Sequence, residues 1–282
     1  MYSLLRGISW MMGRLSDASF ERLAHFLAWL AFGLFGVRRR VVQGNLDIVF
    51  GDTKSFAEKR EIATAAAYHF TLCVLEGFRF FPGRSHEETT IVGREHFVEA
   101  LRGGRGAYIL CVHTGSGDSM AAGIARTFCP CYIPAKRSKS PGVDRFINEM
   151  RLNFGLSTPP RVKKGDGFRM IQETLQAGHV VGFPMDQKRP GAPRMLVFGQ
   201  PATTNSSLAG IWLRQKAPVI PGVIRRTGRH QNEVTFFPPL QMVDTGDLEA
   251  DVISNTELFN RWVERMVLFN PCEYLWLHDR WK

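Results

Sequence analysis

The chain has 282 residues, 44% of them hydrophobic, and carries a net charge of +10 from 36 Lys and Arg against 26 Asp and Glu. That is enough apolar content for one large α/β domain or two small ones, and a basic balance that suits an anionic partner such as nucleic acid, an anionic membrane or an acidic protein. The five cysteines, Cys73, Cys111, Cys129, Cys131 and Cys272, are odd in number, and Cys129-Pro130-Cys131 has the wrong gap for a zinc pair and no second pair to match it, so they read as reduced thiols of a cytoplasmic-facing chain.

The chain opens on an apolar patch, Ile8 to Met12, and then a run without Asp, Glu, Lys or Arg from Leu23 to Val37, closed by Arg38-Arg39-Arg40. The run is short of the roughly 20 apolar residues that a spanning helix wants. Acidic residues before it and the lack of a small-residue cleavage site argue against an ordinary signal peptide. A short span with its basic flank in the cytoplasm, an interfacial anchor and a buried helix all fit; Phe26, Trp29, Phe32 and Phe35 favour an interface. Residues 1–40 are therefore expected to be a membrane-anchoring helical segment ahead of a catalytic domain over residues 41–282.

Beyond it, a long helix is expected over 56–81, ending at Pro82-Gly83, and a short one over 95–101. Residues 107–112 are a continuous apolar run bounded by Gly103-Gly104-Arg105-Gly106, which reads as a buried strand. A helix follows over 120–128, a strand over 131–134, and helices over 143–154 and 167–177. Residues 179–183 read as a strand, 206–216 as a helix, 218–224 as a buried strand with 234–237 able to pair with it, and 256–269 as a final amphipathic helix. Strands alternating with helices argue for a mixed central sheet flanked by helices.

The chemistry is concentrated where the strand over 107–112 ends, in His113-Thr114-Gly115-Ser116-Gly117-Asp118. In open α/β sheets ligands bind at the carboxyl ends of strands. On one helix, residues five apart diverge by about 140°. A Gly-containing turn lets the chain double back, so Asp118 is expected to meet His113, and also to cap the helix it begins. A carboxylate on one imidazole nitrogen fixes the tautomer and leaves the other free to take a proton from a hydroxyl. Ser116 and Ser119 raise the alternative of a serine hydrolase, but the Gly-x-Ser-x-Gly elbow is missing. No nucleic-acid recognition motif accompanies the basic charge.

Further segments fall in order around this box: Asn45-Leu46 and Phe50-Gly51-Asp52 after the arginine triplet, Asp186-Gln187 at a second strand end, Phe198-Gly199-Gln200-Pro201-Ala202-Thr203-Thr204, and Glu273-Tyr274-Leu275-Trp276-Leu277-His278-Asp279-Arg280-Trp281-Lys282. Taken together they resemble the lauroyl/myristoyl acyltransferases that complete lipid A, over nearly the whole chain. The related glycerolipid acyltransferases share the H-x4-D box and a similar fold. Where the lipid A branch usually reads H-x-G-N-W-E, this chain has His-Thr-Gly-Ser-Gly-Asp, so one wall of the site lacks its tryptophan and the carboxylate is a methylene shorter.

The resemblance implies an inner-membrane enzyme with its catalytic domain on the cytoplasmic side. It would transfer a fatty acyl chain from acyl carrier protein to a hydroxyl of a glycolipid acceptor, without cofactor, metal or acyl-enzyme; a lysophospholipid or another amphiphile is the alternative acceptor. His113 would be the general base and Asp118 its orienting partner. Backbone N–H groups of the Gly115/Gly117 turn or a nearby cation would hold the oxyanion. Arg151, Asp186, Lys136 and Arg189 would contact substrate, with Arg137 and Lys188 beside them as further anion contacts.

Overall fold

The computed structural model describes residues 1–79, 88–134, 138–153, 155–156 and 167–282, and among these four α-helices precede the first strand. They are α1 (Tyr2–Arg14), α2 (Asp17–Ala28), α3 (Arg39–Phe50) and α4 (Phe56–Arg79). Strand and helix then alternate: β1 (Glu88–Val92), α5 (Arg94–Leu101), β2 (Ala107–Cys111), α6 (Gly117–Thr127), β3 (Cys131–Tyr132), α7 (Pro141–Asn153) and α8 (Gly167–Gln176). After β4 (Val180–Pro184) come a hairpin of β5 (Arg194–Val197) and β6 (Gln200–Thr203), then α9 (Ser207–Gln215), β7 (Val219–Gly228), β8 (Gln231–Phe236) and α10 (Leu248–Phe269).

Six strands form one mixed sheet in the order β1-β8-β7-β2-β4-β3. All neighbours are parallel except β7 and β8, which pair antiparallel with Val223 opposite Thr235. Strand β2 lies inside the sheet and is covered on both faces, which is why its sequence is a continuous apolar run. Tyr108 and Leu110 enter a core with Trp212, Phe259, Val263 and Met266, while Ala107 and Ile109 enter a second core with Phe97, Ile124 and Phe236. Gly106 directly precedes the strand at φ +61°, where a Cβ would lie 2.2 Å from the His179 carbonyl oxygen, so only glycine lets the chain enter β2 this close to β4.

The alternating elements expected from the sequence are present, and the pairing of 218–224 with 234–237 is the β7/β8 ladder. Helix α1 falls within the segment expected to be helical, whereas α3, β1 and the two strands of the β5/β6 hairpin had no expectation. The charge-free run is not one straight helix. It forms the end of α2 and a wide π-helical turn over Trp29–Leu34, then reverses at Gly36 (φ +61°) and Arg38 (φ +56°) into α3. Arg39 donates from Nη2 to the Gly33 carbonyl at 2.7 Å and so secures the reversal. Among the described residues no single helix is long and apolar enough to cross a membrane; Asp17–Leu34 and Arg39–Thr53 satisfy that criterion only as a pair bent by 88°. One side of the first two helices is packed: Met12, Phe20 and Ala24 form a small core with Leu72 and Leu75 of α4. Trp10 of α1, Phe26 of α2, Trp29 and Leu34 of the π-helical turn and Phe35 after it are exposed, as are Phe70 and Val74 of α4.

Candidate active site

The parallel pairing of β2 with β4 sets the site. Its register matches Ala107 to Val180 and Cys111 to Pro184, and it continues past the strand ends as Met185 N–H donates to the Cys111 carbonyl at 3.0 Å. Two residues beyond the strands, that same offset brings His113 opposite Asp186. The His113 ring Nδ1 lies 2.7 Å from Asp186 Oδ1, and the His113 backbone N–H donates to Oδ2 at 3.1 Å. One carboxylate thus grips the residue at two points. Asp186 is 1% exposed at its side chain and His113 is 37% exposed, so the carboxylate is sealed while the imidazole reaches the surface of the crevice.

A carboxylate only accepts, so Nδ1 carries the proton and Nε2 holds the lone pair. The Gln187 side-chain nitrogen lies 3.4 Å from Nε2. Burial opposes a charge on His113, but the charge of Asp186 and the hydrogen bond to it outweigh burial and raise the imidazole above its ordinary value. Burial likewise opposes ionisation of Asp186, and His113 together with backbone donors overcomes it, holding the carboxyl below the usual carboxylate range. The two shifts have one cause: protonation of the imidazole is favoured by the anion beside it.

The expected pairing of His113 with Asp118 is not the one formed. Asp118 sits in the first turn of α6 and makes its ion pair with Arg151 of α7, at 3.4 Å from Oδ1 to Nε. The cap of α6 is Ser116, whose hydroxyl accepts from Ser119 N–H at 3.2 Å, and not Asp118. The turn is bent by Gly115 at φ +52°, where a Cβ would meet the Glu273 carboxylate at 3.0 Å. The bend sends Asp118 toward α7, whereas Asp186 is delivered to His113 by the sheet.

Gly115 N–H donates to the Glu273 carbonyl at 3.3 Å, so that group is already engaged and is not a free oxyanion donor. Ser116 and Ser119 bond each other at 2.7 Å, and among the described residues neither is hydrogen-bonded to His113. The Cys111 thiol, two residues before the histidine, is pushed well up by burial and by the charge of Asp186. Arg189 is exposed and reaches Asn205 at 3.5 Å. Lys136 and Arg137 lie outside the described residues.

The sequence offered no role for individual residues of the C-terminal segment, yet it forms the floor of the site. Leu275 N–H donates to the His113 carbonyl at 2.9 Å, and Thr114 and Tyr274 form a β-bridge. Asn45 of α3, buried, donates from its amide to the carbonyls of Trp276 and His278, both at 2.8 Å. His278 Nε2 accepts from Lys188 N–H at 3.0 Å. Arg280 is 2% exposed and donates to the Thr203 carbonyl at 3.1 Å and the Thr204 hydroxyl at 3.3 Å. Trp281 donates to the Val197 carbonyl at 3.0 Å. The scattered sequence motifs therefore meet in space: the segment after α10 straps the β5/β6 hairpin and α3 against the loops that carry His113 and Asp186.

The profile of the family described as "Bacterial lipid A biosynthesis acyltransferase" matches residues 1–282. The lipid A biosynthesis lauroyltransferase of Escherichia coli (strain K12) is 25% identical over 291 residues, covering 98% of this chain and 89% of that protein. Among solved structures, the 1-acyl-sn-glycerophosphate acyltransferase of Thermotoga maritima is a distant likeness, with 15% identity, 85% of this chain and 97% of that chain covered, and a TM-score of 0.34. With its whole length matched by one family profile, the chain belongs to the bacterial lipid A biosynthesis acyltransferases and is an acyltransferase.

Proposed function

We propose that the protein transfers a fatty acyl chain from an acyl thioester to a hydroxyl of a lipid A precursor or related glycolipid, with His113 as general base. The observation that carries this reading is the His113–Asp186 pair, placed at the ends of two adjacent parallel strands on a part-exposed imidazole whose Nε2 is 3.4 Å from the Gln187 amide nitrogen. Nε2 takes the proton of the acceptor hydroxyl as its oxygen attacks the thioester carbonyl. The imidazolium formed is stabilised by Asp186, and the thiolate leaving group recovers the proton. His113 and Asp186 need no third residue to do this, and a Cys111 thiol held protonated by burial is a poor nucleophile, so transfer is direct, without an acyl-enzyme.

Asp118 keeps a place in the site through Arg151. It fixes a guanidinium on the α7 side of the crevice, where an anionic headgroup or the developing oxyanion would lie. The acyl donor is acyl carrier protein, an acidic partner for which exposed Arg189 and neighbouring Lys188 form part of a basic rim. The exposed apolar side of α2 and the π-helical turn rests on the cytoplasmic face of the inner membrane, bringing the site to its lipid acceptor.

The test is acyl transfer by the purified full-length protein from lauroyl-acyl carrier protein to a lipid A precursor bearing a free 3-hydroxyacyl group, read by mass spectrometry. Product that depends on His113 is expected. Acylation of a lysophospholipid and not of the precursor would overturn the acceptor, and full transfer by folded His113→Ala would overturn the base.

A further inference from the structure

The chain after β4 is fixed residue by residue. Met185 N–H donates to the Cys111 carbonyl at 3.0 Å. Asp186 accepts from the His113 backbone N–H at 3.1 Å and from its ring Nδ1 at 2.7 Å. Lys188 N–H donates to His278 Nε2 at 3.0 Å. Gln187 stands between these anchors, half-buried, with its amide nitrogen 3.4 Å from His113 Nε2. Because Nε2 holds the lone pair, the NH₂ end of the amide is the end that belongs there; turning the amide over would set its oxygen against that lone pair.

This position bears on the oxygen that is acylated. A hydroxyl that gives its proton to Nε2 must lie within about 3.2 Å of it. A donor 3.4 Å from Nε2 is within hydrogen-bond reach of that same oxygen. The backbone donors of the His113 turn are already engaged: His113 N–H on Asp186, Thr114 N–H on the Val112 carbonyl at 2.9 Å, and Gly115 N–H on the Glu273 carbonyl at 3.3 Å. We propose that Gln187 is a substrate-binding residue that donates to the acceptor oxygen and thereby selects hydroxyl over amine acceptors. The inference rests on the reading of His113 as the base.

The selection follows from counting lone pairs. A hydroxyl oxygen has one proton and two lone pairs. With the proton directed to Nε2 and one lone pair accepting from Gln187, the second lone pair is left to attack the thioester carbonyl. The O–C bond forms, the C–S bond breaks, Nε2 takes the hydroxyl proton, and the thiolate recovers it from the imidazolium. A neutral amine has a single lone pair. Engaged by Gln187, it cannot attack; directed at the carbonyl, it leaves the Gln187 N–H facing amine protons with no acceptor, which slows transfer by about tenfold or more.

The experiment measures kcat/KM of the full-length protein in detergent with lauroyl-acyl carrier protein as donor. The acceptors are a lipid A precursor bearing a 3-hydroxyacyl chain and its 3-aminoacyl counterpart, each with the parent and with Gln187→Leu. The hydroxyl-to-amine ratio should fall by about tenfold or more in Gln187→Leu, because hydroxyl transfer drops and amine transfer does not drop with it. A loop merely disturbed by the substitution would lower both alike and leave the ratio in place. If amine product is below detection in both proteins, dissociation constants measured without donor decide the matter: the parent's preference for the hydroxy acceptor over its 3-deoxy counterpart should shrink several-fold in Gln187→Leu. Gln187→Met repeats both measurements should Gln187→Leu not fold. An unchanged ratio in a folded variant would overturn the inference. The two readings fail separately: full activity in His113→Ala removes the base assignment, whereas an inactive His113→Ala with an unchanged ratio in Gln187→Leu removes only the role of Gln187.

Discussion

His113 is the residue on which the chemistry turns, and its surroundings give the direction of each change. Truncation to alanine removes the imidazole bonded to this carboxylate, and His113→Ala should lower acyl transfer by about 10² or more with the fold retained, the scale of a lost general base; circular dichroism and a transfer assay check both halves. Because Asp186 raises the imidazole above its ordinary value, the rate should climb as pH passes through that raised value, on the alkaline side of 6.5. Direct transfer predicts no acyl adduct when the protein is incubated with donor alone, and intact-mass spectra showing a stable adduct on Cys111 or Ser116 would contradict it. The histidine was legible in the sequence because it follows a continuous apolar run, where a buried strand must end. Its partner was not legible. Asp186 stands out at a second strand end, but pairing it with His113 requires the β2/β4 register, a contact across 73 residues, whereas Asp118 is near in sequence and is led away by the bend at Gly115.

Elements show the same division between local and distant information. Strands β2, β4 and β7 announce themselves as short apolar runs because both sheet faces are covered. Strand β1, with burial alternating between exposed and half-buried, lies at the sheet edge and carries too little apolar pattern to be read without its partner β8. Helix α3 was hidden by its arginine start, which reads as a flank of the apolar run. It matters because Asn45 ties α3 to the C-terminal segment through two buried hydrogen bonds. Asn45→Ala leaves two carbonyls without that donor and should cost about 1–3 kcal/mol, together with a loss of activity. An unchanged denaturation midpoint would show that the seam is held by other contacts.

For the whole molecule, the N-terminal helices combine packing with attachment, and this alters how attachment is tested. Deleting residues 1–37 would strip Leu72 and Leu75 of α4 of their cover, so loss of solubility or fold would be uninformative. Substituting exposed side chains leaves that core intact: Trp29→Ser with Phe35→Ser should lower partition onto anionic vesicles by about tenfold or more for each side chain, and unchanged sedimentation with vesicles would contradict an apolar contact. The +10 charge gives a second handle. Encounter with acidic acyl carrier protein should slow as salt rises past about 0.1 M, where the Debye length is about 10 Å. Charge reversal at Arg189 should weaken that dependence, and an equal salt response with acyl-CoA as donor would contradict recognition of the carrier. The pairing of His113 with Asp186 in place of Asp118 is tested most directly by kcat/KM for acyl transfer across pH in Asp186→Asn and Asp118→Asn. With Asp186 neutralised, burial alone acts on the imidazole, so the acid limb should move to lower pH and the alkaline plateau should drop; Asp118→Asn should weaken transfer with the limb left in place. A limb that moves in Asp118→Asn and stays fixed in Asp186→Asn would contradict the pairing.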